Sequence, residues 1–282
     1  MNNKPIAILI DGGYFLRRLP HLVAEKHCNT PQAIVNMLHI MCRNHVTALR
    51  QIPKLDQATW HQHVYRIFYY DATPYAGKAH HPLLSKQLNF ETSKIAQERQ
   101  AIFELLRKRR KVALRLGTVS REVDWSLTSK HTKTALKSIT WSSALDKLQS
   151  TTGPVNENTS LILTPDEVHD LNQLRHFWKN IPINSLNLGL KQKGVDIRIG
   201  IDIDIASITL KQQASTIVLV TGDSDFVPAA KLARREGMEF ILDPLWQQVN
   251  DDLYEHIDGL QSGLTRPLNA STPNSTEFEM PN

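Results

Sequence analysis

The chain has only two cysteines, Cys28 and Cys42, among its 282 residues. Without a CxxC pair or a nearby cluster of histidines, a disulfide framework and a zinc finger are excluded, and we interpret both residues as reduced thiols of a cytoplasmic protein. No run of about 18 or more apolar residues is present, so a membrane span is not expected. The short apolar run near the N-terminus ends at Asp11, which indicates a strand and not a signal peptide.

The chain also lacks a large excess of charge of either sign. The net charge is +5, from 33 basic and 28 acidic residues, with a pI of about 9.1. This balance is compatible with a polyanionic partner, but many basic proteins bind no nucleic acid. The positions of the charges are therefore more informative than their sum.

Buried apolar runs alternate with helical patterns, which is typical of an α/β fold with a mainly parallel sheet. Glycines permit a sharp turn after the first run, at Asp11-Gly12-Gly13. The predicted strands are Pro5–Ile10, Val64–Tyr70, Val112–Val119, Thr216–Val220 and Glu239–Leu242. The predicted helices are one through Tyr14 and Leu19, then Pro31–Leu49, Thr92–Arg110, Val195–Leu210 and Asp225–Glu236.

Residues 120–190 interrupt this alternation with a composition rich in Ser, Thr, Asn and Lys. We interpret them as an insertion in a single domain over 1–260. The insertion could contact a protein partner or a second copy of the chain in a homo-oligomer. Inside it, Thr164 can cap a helix over Pro165–Asn180. The polar segment 261–282 lacks a core pattern and is predicted to be disordered.

Aspartates occur where a sheet of this kind binds ligands, beyond the carboxyl ends of its strands. Asp11 ends the first strand, Asp223 and Asp225 follow a later buried strand in VLVTGDSDF, and Asp196 lies near the first turn of a helix. Carboxylates that meet raise each other's pKa unless a cation lies between them. Oxygen ligands of this kind favour Mg²⁺ or Mn²⁺, which can activate water for attack on a phosphodiester.

Structural explanations compete with this one. Asp11 and Asp225 can each be a helix N-cap, and Asp71, after the second strand, can be a turn residue. Asp202 is a secondary candidate for the site, and Asp204 is interpreted as a solvated charge.

Four segments resemble the NYN domain family, in the LabA-like group of PIN-type nucleases. They are AILIDGGY at 7–14, RIFYYDATP at 66–74, KGVDIRIGIDI at 193–203 and VLVTGDSDFVPAAKLARREGMEF at 218–240. The resemblance implies a PIN-like three-layer fold whose five-stranded sheet has the order 3-2-1-4-5. It also implies a ribonuclease that cleaves RNA with Mg²⁺ or Mn²⁺.

By motif, the resemblance assigns the metal-binding and catalytic acids to Asp11, Asp196, Asp223 and Asp225, with Asp202 secondary. Tyr14 stands where many relatives have asparagine, so the polar contact of that asparagine is in question.

Basic residues supply candidates for contacts with phosphate. Lys193 is close in sequence to Asp196. The run Arg107–Lys111 has a higher density of basic residues. It precedes the third predicted strand, however, and so lies at the edge of the sheet opposite the aspartates.

Two other functions compete with a nuclease. A haloacid-dehalogenase phosphohydrolase needs DxD at the first strand, and Gly13 excludes it. A non-catalytic RNA-binding or regulatory module remains the alternative.

Overall fold

The computed structural model describes most of the chain and divides it into two compact units. The described residues are 4–52, 55–56, 58–142, 146–147, 162–193 and 197–266, without the side chains of 138, 139, 192–200, 203 and 224. The first unit comprises residues 1–77, 90–119 and 192–282, and the second comprises 78–89 and 120–191. In the described part of the chain, no helix is long and apolar enough to cross a membrane. That residues 120–190 are an insertion that contacts a partner stays a prediction.

A largely parallel sheet forms the centre of the first unit. Its strands are β1 (Ile6–Asp11), β2 (Val64–Thr73), β5 (Val112–Leu127, which continues into the second unit), β7 (Thr216–Val220), β8 (Glu239–Asp243) and β9 (Gly259–Leu260). They lie in the order β5-β2-β1-β7-β8-β9, and all the pairings described among them are parallel.

The predicted mixed α/β fold with a mostly parallel sheet is confirmed. The five predicted strands keep the order 3-2-1-4-5, but the sheet is larger than predicted, because β9 and β6 (Leu186–Lys193) extend it to seven strands.

Helices cover both faces of the central strands, because β1 is apolar at every position before Asp11. Ile6, Ile8 and Ile10 face α1 (Gly12–Arg18), α2 (Pro31–Arg50) and α3 (Lys94–Arg107), while Ala7 and Leu9 face the opposite way. There they pack in a second apolar cluster with α6 (Ile197–Leu210) and α7 (Val227–Arg235). A strand that is buried on both faces in this way reads as a continuous apolar run.

The helices begin at side-chain caps that the sequence supplies. Thr30 and Ser93 accept hydrogen bonds from the backbone at the first turns of α2 and α3. Asp223 is followed by a 3₁₀ turn, Ser224–Phe226, before α7 begins at Val227. The helix predicted from Asp225 therefore begins two residues later.

The second unit contains elements that the sequence patterns did not predict. They are a hairpin of β3 (Lys78–His81) and β4 (Lys86–Asn89), and the helix α4 (Ser129–Lys137). The helix α5 (Pro165–Lys179) confirms the predicted one and has a complete capping box between Thr164 and Glu167. Trp125 donates from Nε1 to the carbonyl oxygen of His80 at 2.7 Å.

The predicted disorder from residue 261 is wrong for 261–266. After α8 (Asp251–Tyr254) and β9, the side chain of Leu264 is buried in the core. The backbone N–H of Gly263 donates to Asp243 at 2.9 Å. These contacts hold Gly263 and Leu264 against the core, although the sequence of the segment shows no periodic pattern. Residues 267–282 lie outside the described residues.

Candidate functional site

Asp11 lies at the carboxyl end of β1, where it also caps α1. Its Oδ1 accepts a hydrogen bond from the backbone N–H of Tyr14 at 2.8 Å. Burial raises the pKa of the Asp11 carboxyl, and the negative charge of Asp71 adds to the rise, whereas the Tyr14 N–H and Arg17 oppose it. The helix-cap interpretation is therefore correct, but the cap uses one oxygen of a carboxylate that has two.

Asp223 and Asp225 lie in an exposed turn directly after β7. Asp223 Oδ1 accepts from the backbone N–H of Asp225 at 3.0 Å, while the Asp223 N–H donates to Thr221 Oγ1 at 3.2 Å. The N-cap is thus Asp223, and the prediction that Asp225 is a cap is wrong. An N-cap must keep its own backbone extended while the following residues turn, and here that position is Asp223.

The loop after β1 and the turn after β7 are in contact. Ile10 pairs with Val220 in the parallel register, so the two strands end side by side. Beyond them, a Cβ built on Gly222 would lie 2.3 Å from Cε2 of Tyr14, which means that this glycine lies directly against the tyrosine ring. Position 222 requires glycine because any side chain there would collide with the Tyr14 ring. The ring of Tyr14 connects the segments that carry Asp11 and Asp223.

A third acidic group is Asp71 of β2, which is buried near Asp11 of the neighbouring strand β1. Its Oδ1 accepts from the Ala72 N–H at 2.8 Å, and its Oδ2 forms an ion pair with Arg99 of α3. Burial raises the pKa of Asp71, and Arg99 opposes that rise. The hydroxyl of Tyr69 lies 3.4 Å from Asp71 Oδ2. Asp71 is a buried, paired carboxylate in the strand, so its interpretation as a turn residue is wrong.

Asp204 is bound within the fold, so its interpretation as a solvated charge is wrong. Its Oδ2 accepts from Tyr70 Oη at 2.7 Å and from Arg115 Nε at 2.9 Å. Tyr70 and Arg115 are paired residues on β2 and β5, and α6 brings Asp204 to them. Asp202, also on α6, is half-buried.

Two of the predicted site residues are not described. Asp196 lies outside the described residues, as does the side chain of Lys193, whose backbone ends β6. Over the ranges that the structure covers, no group of three or more His, Cys, Asp or Glu side chains is arranged to hold a metal ion. The described donors beside the β1 and β7 ends are carboxylates, an oxygen chemistry that fits Mg²⁺ or Mn²⁺.

The loop after β8 adjoins the same edge of the sheet. Val220 pairs with Asp243, and the hydroxyl oxygen of Tyr14 lies 2.5 Å from the carbonyl oxygen of Pro244. The next two residues, Leu245 and Trp246, both have left-handed backbones, with φ of 46° and 63°. Such a conformation is unfavourable for large side chains and persists only where surrounding contacts enforce it.

Basic residues gather near the opposite edge, before β2 and β5. His39 and His61 meet through their Nε2 atoms at 3.2 Å. Burial lowers the pKa of His39 to about 4, and the charges of His61, Arg109 and Arg43 act in the same direction. The predicted basic run Arg107–Lys111 includes Arg109 and precedes β5, so it lies away from the strand ends that carry Asp11 and Asp223.

Comparison with known proteins finds one family that part of the chain resembles. The family model described as the NYN domain matches residues 123–256. Residues 123–256 of this chain are thus similar to the NYN domain family. The resemblance predicted from the motifs is thereby confirmed, and the NYN match includes the segments 193–203 and 218–240, whereas 7–14 and 66–74 precede it. The NYN domain is a PIN-like family of nuclease type.

Other comparisons add little to the NYN assignment. A crystal structure of a protein of unknown function from Vibrio parahaemolyticus RIMD 2210633 is similar over 92% of this chain and 93% of that chain, at 12% identity and a TM-score of 0.38. So weak a similarity carries no conclusion about this chain. No curated protein matches the chain significantly.

Proposed function

We propose that this NYN domain is a ribonuclease that hydrolyses RNA phosphodiester bonds with Mg²⁺ or Mn²⁺. The observation that carries the proposal is the meeting of two loops at neighbouring strand ends. Asp11 follows Ile10, Asp223 follows Val220 by three residues, and Ile10 and Val220 are paired. Parallel strands of α/β sheets bind their ligands at such an edge.

The electrostatics of Asp11 support a bound cation. Its carboxyl is half-buried, with a pKa raised by burial and by Asp71, so the ionised form gains from a nearby positive charge. We assign the metal to Asp11, Asp196, Asp223 and Asp225, with Asp202 secondary. When bound, a divalent ion supplies an activated water and stabilises the charge on the phosphate.

The residues of the chain hold and orient these donors. The Tyr14 N–H fixes one oxygen of Asp11, and the Asp225 N–H fixes one oxygen of Asp223. Lys193 is proposed to contact a substrate phosphate. The preference for RNA comes from the family, and the two free cysteines accord with the cytoplasm as the location that we propose.

Cleavage of RNA tests the proposal. We expect the purified protein to cleave RNA when Mn²⁺ or Mg²⁺ is added and to stop when a chelator is added. Asp223→Asn should abolish cleavage, because the amide is a weaker metal ligand of the same shape. The matched control is Asp124→Asn, whose side chain is 68% exposed and paired with Arg121 at the surface. If Asp223→Asn cleaves RNA as fast as the parent, the proposed site is wrong.

A non-catalytic RNA-binding or regulatory module is the second candidate. Such a module would keep this fold and bind RNA without a catalytic metal. A thermal-shift titration with Mn²⁺ separates the two candidates without an activity assay. A nuclease should melt at a higher temperature with Mn²⁺, and Asp11→Asn should remove that rise. RNA binding without a metal-dependent shift and without cleavage would favour the second candidate.

A further inference from the structure

Trp246 is an exposed aromatic residue beside the strand ends that carry Asp11 and Asp223. Its side chain is 47% exposed, while the preceding Leu245 is fully buried. The following Gln247 places Oε1 at 2.8 Å from the Tyr14 hydroxyl and 2.9 Å from the position of a Cβ on Gly222. Trp246 therefore adjoins the loops that carry Asp11 and Asp223.

Three hydrogen bonds anchor the Trp246 indole and the residues that precede it. Its Nε1–H donates to the carbonyl oxygen of Leu264 at 2.7 Å. The carbonyl oxygen of Leu245 accepts from Arg18 Nη2 at 2.9 Å, and the Pro244 carbonyl meets Tyr14. These contacts enforce the left-handed backbone at both Leu245 and Trp246. The polar atom of the indole is satisfied within the protein, and the ring remains half-exposed.

Arg266 adds a positive charge next to the ring. Its guanidinium carbon lies 5.9 Å from the Trp246 ring centroid, at the outer limit of a cation–π contact. A half-exposed aromatic ring with an adjacent cation is the combination that binds single-stranded nucleic acid, because the ring stacks on a base and the cation attracts the phosphates.

We propose that Trp246 is a base-stacking platform that binds single-stranded RNA next to the aspartate edge, with Arg266 as its phosphate contact. The inference rests on the proposed function for the class of substrate. Stacking involves the face of the base, so this site binds RNA without requiring a particular sequence.

The test measures binding of a labelled single-stranded oligouridylate with chelator present, so that no cleavage occurs. Trp246→Ala should weaken binding about tenfold, and Trp246→Phe should stay within about threefold of the parent, because one stacked base contributes about 1–3 kcal/mol. The matched control is Trp178→Ala, which removes a tryptophan with 50% exposure on α5. Melting temperatures of all variants check that they are folded.

Inorganic polyphosphate, used as a competitor, distinguishes stacking from charge. Polyphosphate lacks bases, so it should bind the parent and Trp246→Ala equally tightly. Three results would each overturn the inference. The parent does not bind the oligouridylate, Trp246→Ala binds it as tightly as the parent, or Trp246→Ala loses polyphosphate binding by the same factor as oligouridylate binding. Binding through Trp246 without cleavage after Mn²⁺ is added would overturn only the proposed function.

Discussion

The Nε2 atom of His45 lies 2.8 Å from Oδ2 of Asp243, and both side chains are fully buried. The same carboxylate accepts from the backbone N–H groups of Leu245 and Gly263, at 2.8 and 2.9 Å. One acidic side chain at the end of β8 thus connects α2, the loop that presents Trp246 and the segment after β9.

Removal of His45 should strongly destabilise the fold. We expect His45→Ala to lower the free energy of unfolding by about 3 kcal/mol, because it leaves the Asp243 carboxylate buried without its side-chain partner. Urea denaturation gives the value, and His27→Ala, at an exposed position, should cost less than about 0.5 kcal/mol. A loss below about 1 kcal/mol for His45→Ala would show that the two backbone donors alone satisfy Asp243.

The two glycines after Asp11 should respond differently to alanine. A Cβ at Gly12 would lie 2.4 Å from Cζ of Tyr69, which is fully buried and cannot move aside. We expect Gly12→Ala to cost about 1–3 kcal/mol through overpacking. At Gly13 the nearest atom is Asp11 Oδ1 at 3.4 Å, so Gly13→Ala should be within about 1 kcal/mol of the parent. Equal effects in chemical denaturation would contradict this account of the loop.

Truncation of Leu264 should reveal how far the fold extends along the chain. Leu264 is 4% exposed within the core, so Leu264→Ala should lower the free energy of unfolding by about 2–5 kcal/mol, the range for a buried leucine. Leu260 in β9 is 36% exposed, and Leu260→Ala should cost under about 1 kcal/mol. If the two variants unfold at the same urea concentration, the burial of Leu264 contributes little to stability.

Acid should destabilise the protein through His39. Its pKa is about 4 in the folded chain and about 6.5 when unfolded, so between these values only the unfolded chain binds the proton. The contribution of His39 is present above about pH 6.5 and is lost as pH falls towards 4. We expect His39→Asn to lose less melting temperature than the parent between about pH 7 and about pH 5. An equal loss in both proteins would assign the acid sensitivity to other groups.

The elements with strong local signals could be predicted, and those that depend on distant contacts could not. β1 follows from a continuous apolar run, and α2 follows from the helical pattern that begins at Pro31. The strand order came from the family resemblance, because periodicity does not specify neighbours. The hairpin of β3 and β4 has four-residue strands without a clear apolar alternation.

The candidate site divides in the same way. Asp11 and Asp223 can be identified from the sequence because each follows a buried strand. Asp243 ends such a strand too, and that signal could have identified it, but its burial against α2 is visible only in the fold. The pairing of Asp71 with Arg99 depends on α3 packing against β2, which no local pattern encodes.

The position of β1 has a consequence for how the protein is made. Ile6 pairs on one side with Val64 and on the other with Thr216, so β1 leaves the ribosome well before its second partner, β7, has been made. Contacts between such distant residues slow folding. Until Thr216 has been made, the apolar residues of β1 lack the β7 side of the sheet, and strands exposed in this way are prone to aggregate.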